Sequence, residues 1–392
     1  MSGMFGERLV VRNFGPITNL DIEFRRLTLF IGDQGSGKST LSKLLTICRD
    51  MKWWLQLLED PESDESIKPF FDFGINEYFM DDTFISYTMQ GLAIKFKEGL
   101  FNIVSNDIGK DDIKNYFAHL NEKFGYGQDS SSSSETDDEE QAFMETNARM
   151  ILYNPAERNL VGNLSEATAS LWSAGIPLPK PLLEYMGLFE RATKSLPHYD
   201  IAFFNVSFVK KDNKNMIELK GHNKLLPLSA SSSGLQSAIP MLMVIDYALK
   251  TDSFNSFVIE EPEQNLFPKN QFEILGFVTS KLSHANQDRQ FIITTHSPYM
   301  LSSLNVLMLA YKLQQIEEVR EEAEKIIAPE YMVNPDDVAV YSLDPNAEAY
   351  CKSLISEKTG LVSVNELDAV SEIIGDKFDR LYNLYRQVNK KK

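Results

Sequence analysis

The strongest chemical pattern in the chain is GDQGSGKS at residues 32–39, which matches the phosphate-binding pattern G-x-x-x-x-G-K-[ST] in full. Gly35 and Gly37 let the backbone turn so that successive N–H groups can point at phosphate oxygens. Lys38 is expected to reach the β- and γ-phosphates, and the hydroxyl of Ser39 is expected to bind Mg²⁺. The pattern therefore predicts a site for ATP and Mg²⁺.

The surroundings of this loop support the same interpretation. A nearly continuous apolar run, LTLFI at 27–31, predicts a buried strand before it, and helical spacing follows over 40–48. The helix would aim its positive end at the bound phosphates, which argues against a chance glycine-rich turn. The predicted nucleotide-binding residues of this segment are consecutive: Gly32, Asp33, Gln34, Gly35, Ser36, Gly37, Lys38, Ser39 and Thr40.

A second group of chemical residues follows two later apolar strands. SFVIEEPEQNLFP at 256–268 places Glu260 and Glu261 at a strand end, where we expect Glu260 to hold the metal and Glu261 to act as general base. QFIITTHSPYML at 290–301 places His296 at the next strand end, where it could bind the γ-phosphate or the attacking water. Alone, such acid pairs are often solvated strand ends and single histidines are more often structural. The phosphate loop upstream favours the catalytic interpretation of Glu261, His296 and Lys38.

A serine-rich turn, SASSSGLQS at 229–237, precedes an apolar helix predicted over 235–249. Hydroxyls and a glycine N–H at a helix start suit an anion. The signal is weak by itself, because serine is common as a helix N-cap.

The strands and helices around these residues predict an α/β fold with a mixed sheet flanked by helices. Short strands are predicted at 9–14, 20–24 and 27–31, and the strand pattern resumes near 201 with a hairpin around KKDNK. The predicted domains are an ATPase core from 1–50 and 195–310, a mainly helical insertion over 51–194 with a disordered acidic loop at 127–141, and an extension over 311–392. That extension contains a charged helix at 313–327, a strand at 337–343 and a terminal helix at 366–388.

Taken in order, these elements resemble the ABC-type P-loop ATPases of the RecF, SMC and OLD-like branch, which includes bacterial AAA family ATPases linked to defence. GDQGSGKST resembles Walker A, FVIEE resembles Walker B, and THSPYML resembles the switch-histidine loop. SSSGLQS is similar to the signature motif, which places Ser232, Gly234 and Gln236 on its positions. YNPAERN at 153–159 is similar to the Q-loop region, which implies that Glu157 and Arg158 lie near the nucleotide.

The resemblance implies that the signature of one copy binds the γ-phosphate held by another, so that ATP bridges at least a dimer. Two departures from the family matter. Glu260 stands where many relatives carry aspartate, and no downstream acids match the TOPRIM nuclease that often follows in the OLD branch. We therefore expect an ATPase without its own nuclease.

Composition indicates the cellular location of the protein and its contacts with membrane and nucleic acid. No apolar run reaches the length needed to cross a bilayer, and the N-terminus has no signal-peptide pattern. The only cysteines are Cys48 and Cys351, so no disulfide framework is implied. We therefore expect a cytoplasmic protein without membrane contact. The formal charge of −17 opposes general attraction to nucleic acid, although the lysines between 210 and 224 leave local contact open.

The favoured function is an ATP-switched protein that dimerises around ATP and controls a partner, such as an effector nuclease or toxin, in anti-phage defence or DNA maintenance. The alternative is a DNA-repair ATPase of RecF or SMC type that grips DNA directly. Two other functions agree less well with the sequence. The large insertion does not suit a transporter subunit, and Glu261 and His296 would have no catalytic role in a module that only binds.

Overall fold

A six-stranded sheet carries the phosphate loop, the acid pair and His296 at the ends of its strands. The computed structural model describes residues 6–89, 92–105, 151–164, 178–221, 224–252, 254–283, 289–363 and 381. Numbered in chain order, the strands of this sheet are β3 (Leu27–Ile31), β7 (Ile151–Asn154), β12 (Ser256–Glu260), β13 (Gln290–Thr295), β14 (Val338–Leu343) and β15 (Cys351–Ser353). Their order is β15-β14-β3-β13-β12-β7, and all pairs are parallel except β14 with β15. The carboxyl ends of five strands therefore lie along one edge.

Both faces of this sheet are buried, which explains the continuous apolar runs in its strands. Leu29 and Ile259 face one hydrophobic core, whereas Phe30, Val258 and Ile292 face a second core on the opposite side. The alternation follows from the two-residue period of a strand.

The nine α-helices that the structure describes are α1 (Lys38–Arg49), α2 (Met51–Glu59), α3 (Lys68–Asp72), α4 (Asn159–Leu164), α5 (Lys180–Ser195), α6 (Ser233–Lys250), α7 (Pro268–Ser283), α8 (Pro298–Gln314) and α9 (Arg320–Ile326).

A five-stranded antiparallel sheet covers the second core together with α1 and α2. Its strands are β1 (Arg8–Phe14), β2 (Ile17–Glu23), β4 (Phe79–Met89), β5 (Leu92–Lys97) and β6 (Leu100–Ser105), in the order β2-β1-β4-β5-β6. The expectation of a mainly helical insertion is therefore wrong for residues 79–105. The pairing of β4 with β1 buries Ile85 and Tyr87, which alternate with less buried residues as in a half-covered strand.

A four-stranded antiparallel sheet lies beside the first core, and it confirms the predicted hairpin around KKDNK. Its strands are β8 (His198–Ile201), β9 (Val206–Lys211), β10 (Lys214–Leu219) and β11 (Lys224–Pro227). The hairpin turns at Asp212 and Asn213, whose φ angles of 49° and 62° are those of the tight turns that match strand twist. Two of the lysines between 210 and 224 have polar partners: Lys220 forms an ion pair with Asp200, and Lys210 donates to the side chain of Asn215.

The helix predicted over 313–327 is interrupted, so this prediction is wrong. Helix α8 ends at Gln314 and α9 begins at Arg320. The Arg320 guanidinium donates to the Gln314 carbonyl at 2.8 Å and so satisfies an end group of α8. Glu321 and Glu322 then occupy the first turn of α9, where acidic residues stabilise a helix start.

The predicted domain boundaries stay predictions, but the central sheet takes strands from outside the segments assigned to the core. Strand β7 comes from the segment 51–194 and β14 from 311–392. The acidic loop at 127–141 and the terminal helix at 366–388, apart from residue 381, lie outside the described residues. No described helix has both the length and the apolar character needed to span a bilayer.

Candidate nucleotide site

The phosphate loop connects β3 to α1 and has the backbone that its glycines predict. Gly35 and Gly37 have φ angles of 78° and 94°, a left-handed conformation in which a side chain would be strained. Gly37 is the N-cap of α1, and no side chain caps this helix. A helix start without a side-chain cap leaves its first N–H groups available to an anion.

The ammonium of Lys38 lies inside this loop. It donates to the carbonyls of Gly32 and Asp33 at 2.7 and 2.9 Å and to the Ser36 hydroxyl at 3.1 Å. Burial lowers the pKa of Lys38 to about 8, although nearby carboxylates, with Glu261 first, oppose the shift. A buried cation whose hydrogen bonds all go to neutral oxygens fits a site for phosphate. The loop residues are therefore suited to bind a nucleoside triphosphate.

The two residues predicted to hold Mg²⁺ are brought together. Glu260 ends β12 and is buried, and burial raises the pKa of its carboxyl. Hydrogen bonds from Tyr153 and Ser39 act in the opposite direction, and the Tyr153 hydroxyl lies 2.9 Å from Oε1 of Glu260. A hydroxyl and a carboxylate are ligands that suit Mg²⁺, which usually completes its shell with phosphate oxygens and water. Within the described ranges no group of three or more His, Cys, Asp and Glu side chains forms a separate metal site.

Glu261 and His296 are in contact at the same edge of the sheet. Nε2 of His296 lies 3.2 Å from Oε1 of Glu261, and the two side chains are 34% and 29% exposed. Glu261 has a φ of 43°, which is unusual for a residue with a side chain, and its N–H donates to the Thr294 carbonyl at 2.9 Å. The partly exposed pair can contact a water molecule or a phosphate from solvent.

Arg158 supports the backbone of the acid pair, and its place near the nucleotide stays a prediction. It follows β7 in a 3-10 turn and is fully buried, and burial lowers the pKa of its guanidinium. The guanidinium donates to the main-chain carbonyls of Pro155, Glu260 and Glu261. Arg158 therefore fixes the backbone of Glu260 and Glu261. Glu157 is its neighbour in the same 3-10 turn.

Glu263 is a buried site residue that the sequence analysis did not single out. Its Oε1 accepts a hydrogen bond from the Thr295 hydroxyl at 2.6 Å and one from the His296 N–H at 3.0 Å. Burial raises the pKa of this carboxyl. The acidic repeat EEPE was a local signal, but nothing in it indicates that the third acid turns inward.

The serine-rich turn lies at the start of α6 as predicted. Ser232 is the N-cap and accepts from the Leu235 N–H at 3.4 Å, and the Gln236 amide donates to the carbonyls of Ser229 and Ser231. A Cβ atom on Gly234 would lie 2.7 Å from the Asn265 carbonyl. The turn is thus packed against the loop that follows the acid pair, while its contact with a phosphate stays a prediction.

A family model described as "AAA domain, putative AbiEii toxin, Type IV TA system" matches residues 27–302. The matched segment begins with β3, ends in α8, and contains the phosphate loop, the acid pair and His296. No curated protein matches the chain.

Solved structures that are similar to the chain include an SMC head domain from Thermotoga maritima, with 15% identity and a TM-score of 0.38 over 76% of this chain and 90% of that chain. An Smc head bound to the C-terminal winged-helix domain of ScpA has 12% identity and a TM-score of 0.40, over 90% and 98% of the two chains. An Smc head with an extended coiled coil, bound to a ScpA domain derived from Pyrococcus furiosus, has 10% identity and a TM-score of 0.43, over 93% and 98%.

Proposed function

The chain belongs to the family described as "AAA domain, putative AbiEii toxin, Type IV TA system", and on that premise we propose that it hydrolyses ATP and uses the bound nucleotide as a conformational switch. The observation that carries this proposal is the 3.2 Å contact between Glu261 and His296 at the sheet edge that also holds the phosphate loop. A carboxylate and an imidazole at this distance can orient one water molecule between them and the γ-phosphate.

Each side chain has a distinct task in this proposal. Lys38 and the N–H groups of the loop bind the phosphates. Ser39 and Glu260 would hold Mg²⁺, whose charge would offset that of the phosphates. Glu261 accepts the proton of the attacking water, and His296 orients that water or the γ-phosphate.

The test is the turnover of Glu261→Gln, which keeps the shape of the side chain but removes the base. General-base catalysis contributes about 100-fold or more, so we expect turnover to fall by at least that factor while ATP binding persists. Glu190→Gln is the matched control, because Glu190 is an exposed carboxylate in a surface pair with Lys194. Wild-type turnover in Glu261→Gln would contradict the assigned base, and unchanged ATP binding in Lys38→Ala would contradict the nucleotide site itself.

The switch is proposed to be a dimer in which Ser232, Gly234 and Gln236 of one copy meet the phosphates bound by the other. Two observations support this dimer. Ser232, the N-cap of α6, is exposed, so that its hydroxyl is open to an anion. The neighbouring loop packs on Gly234 and leaves the Phe267 side chain 75% exposed, as a surface that contacts another chain often does.

Light scattering with ATP tests the dimer. Glu261→Gln should double its mass when ATP is added, because binding persists without turnover. Ser232→Arg should still bind ATP but should lose both the dimer and hydrolysis. A Glu261→Gln protein with the mass of one chain at every ATP concentration would rule out the shared site.

The partner that the switch controls is proposed to be an effector nuclease or toxin, acting in defence against phage. The family description, which names a putative toxin and a type IV toxin–antitoxin system, supports a role in a system of this kind. The test is phage plating on a bacterial host that carries the chain with its neighbouring genes. Protection that is lost with Lys38→Ala supports the proposal, whereas equal plating with and without the system contradicts it.

A further inference from the structure

The segment after β14 returns to the phosphate loop. Strand β14 lies parallel to β3, with Ser342 opposite Ile31, so its carboxyl end emerges beside the loop that follows β3. The chain then turns over residues 344–350 and comes back as β15, and the Asp344 N–H donates to the Tyr350 carbonyl at 2.9 Å to close the turn. This geometry delivers the Tyr350 side chain to the phosphate loop.

Tyr350 contacts the loop through one well-defined hydrogen bond. Its hydroxyl donates to the Ser36 carbonyl at 2.6 Å, and its side chain is buried. Burial also raises the pKa of Tyr350, so the hydroxyl keeps its proton and remains a donor at neutral pH.

Two glycines of the loop are packed against the same segment. A Cβ atom on Gly37 would lie 2.6 Å from the Tyr350 hydroxyl oxygen, and one on Gly32 would collide with the Leu343 carbonyl. Gly35, in contrast, has open space around the same position. The C-terminal segment therefore fits closely against the back of the loop, whereas Gly35 lies on a free side.

The hydrogen bond to Ser36 also orients a donor. The Ser36 carbonyl and the Gly37 N–H belong to one planar trans peptide, so they point in opposite directions. A contact that fixes the carbonyl therefore fixes the direction of the Gly37 N–H as well. Because glycine-rich backbone loses much conformational freedom when it is ordered, holding this peptide in advance lowers the entropy cost of binding a ligand.

We propose that Tyr350 is a positioning residue that holds the phosphate loop in its binding conformation and so links the C-terminal turn at 344–350 to nucleotide affinity. Tyr350 lies outside the segment 27–302 that the family model matches. The inference rests on the proposed function, since it assigns the residue to the affinity for ATP.

The experiment compares Tyr350→Phe with Tyr341→Phe. Tyr341 is a matched control in β14, the strand that leads into the turn at 344–350: its hydroxyl donates to the Glu23 carbonyl at 2.8 Å and its ring stacks on Phe30. Each substitution removes one hydroxyl and keeps the ring. The measurements are the Kd of a non-hydrolysable ATP analogue by calorimetry, the KM and kcat for ATP, and hydrogen–deuterium exchange of the loop amides at 33–38 without nucleotide.

For Tyr350→Phe we expect Kd and KM to rise about 3- to 10-fold, as the loss of one net hydrogen bond predicts, with kcat within about twofold. Exchange at 33–38 should also become faster. Tyr341→Phe should leave Kd and loop exchange unchanged. An unchanged Kd and exchange in Tyr350→Phe, or an equal change in both variants, would overturn the positioning role. If wild-type protein bound no ATP the proposed function would fail by itself, and loop exchange would still decide whether Tyr350 holds the loop.

Discussion

The carboxylate of Glu263 holds the backbone of His296, because its Oε1 accepts the His296 N–H at 3.0 Å and the neighbouring Thr295 hydroxyl at 2.6 Å. Glu263 follows Glu261 by two residues, so the loop that carries the proposed base also fixes the strand end that carries the imidazole. This link explains how the contact between Glu261 and His296 is kept although the two residues follow different strands.

Glu263→Ala should destabilise the protein and reduce turnover. The substitution leaves the His296 N–H and the Thr295 hydroxyl without their acceptor, and an unsatisfied buried donor costs about 1–3 kcal/mol. Urea denaturation measures the free energy of unfolding, and steady-state kinetics measures turnover. Glu263→Gln, which keeps a carbonyl oxygen as acceptor, should retain more of both. A Glu263→Ala protein as stable and as active as wild type would show that the link has no role.

ATP affinity should fall as pH rises through about 8. Burial places the pKa of Lys38 at about 8, so the ammonium is mostly charged at pH 7 and mostly neutral at pH 9. If ATP binds only the charged form, Kd should rise about tenfold between those pH values.

Calorimetric titrations with an ATP analogue at several pH values check this dependence. Lys38→Arg is the control, since a guanidinium does not titrate in this range and any remaining affinity should be independent of pH. A wild-type Kd that stays constant from pH 7 to 9 would mean that Lys38 keeps its charge throughout.

Arg158→Lys should lower the free energy of unfolding by about 2–5 kcal/mol, because an ammonium cannot reproduce the fork that satisfies several buried carbonyls. The affected carbonyls belong to Pro155, Glu260 and Glu261, so turnover should fall as well. Arg8→Lys is the control: Arg8 pairs with Asp21 at the surface, and its loss should cost less than about 1 kcal/mol. Equal stability of the two variants would remove Arg158 from its supporting role.

Tyr153→Phe should raise the Mg²⁺ concentration that gives half-maximal turnover by about tenfold or more, as the loss of a group that orients a metal ligand predicts. The Tyr153 hydroxyl lies 2.9 Å from Oε1 of Glu260, the residue assigned to the metal. Tyr199→Phe is the control, because the Tyr199 hydroxyl donates to Asp246 at 2.6 Å away from the site. The assignment of Glu260 to Mg²⁺ would be undermined if both variants had the wild-type Mg²⁺ requirement.

Local patterns sufficed for the strands and helices that carry the site. The loop glycines, the apolar runs before Glu260 and His296, and the turn at Asp212 and Asn213 have conformations that neighbouring residues dictate. Local patterns failed over 79–105, where strands replaced the predicted helices, because the pairing with β1 decided the conformation. They also failed within 313–327, where α8 ends at Gln314 and α9 begins only at Arg320.

The chemistry of the candidate site follows from local sequence, because a phosphate-binding loop needs glycines and a lysine at set spacing and these are neighbours along the chain. Which other groups support that chemistry depends on how the strands and helices pack. Tyr350 reaches Ser36 across 314 positions of the chain and Arg158 reaches the Glu260 carbonyl across 102. Such contacts follow from the order in which strands lie in a sheet, and that order depends on burying both faces of the sheet, which no short segment specifies.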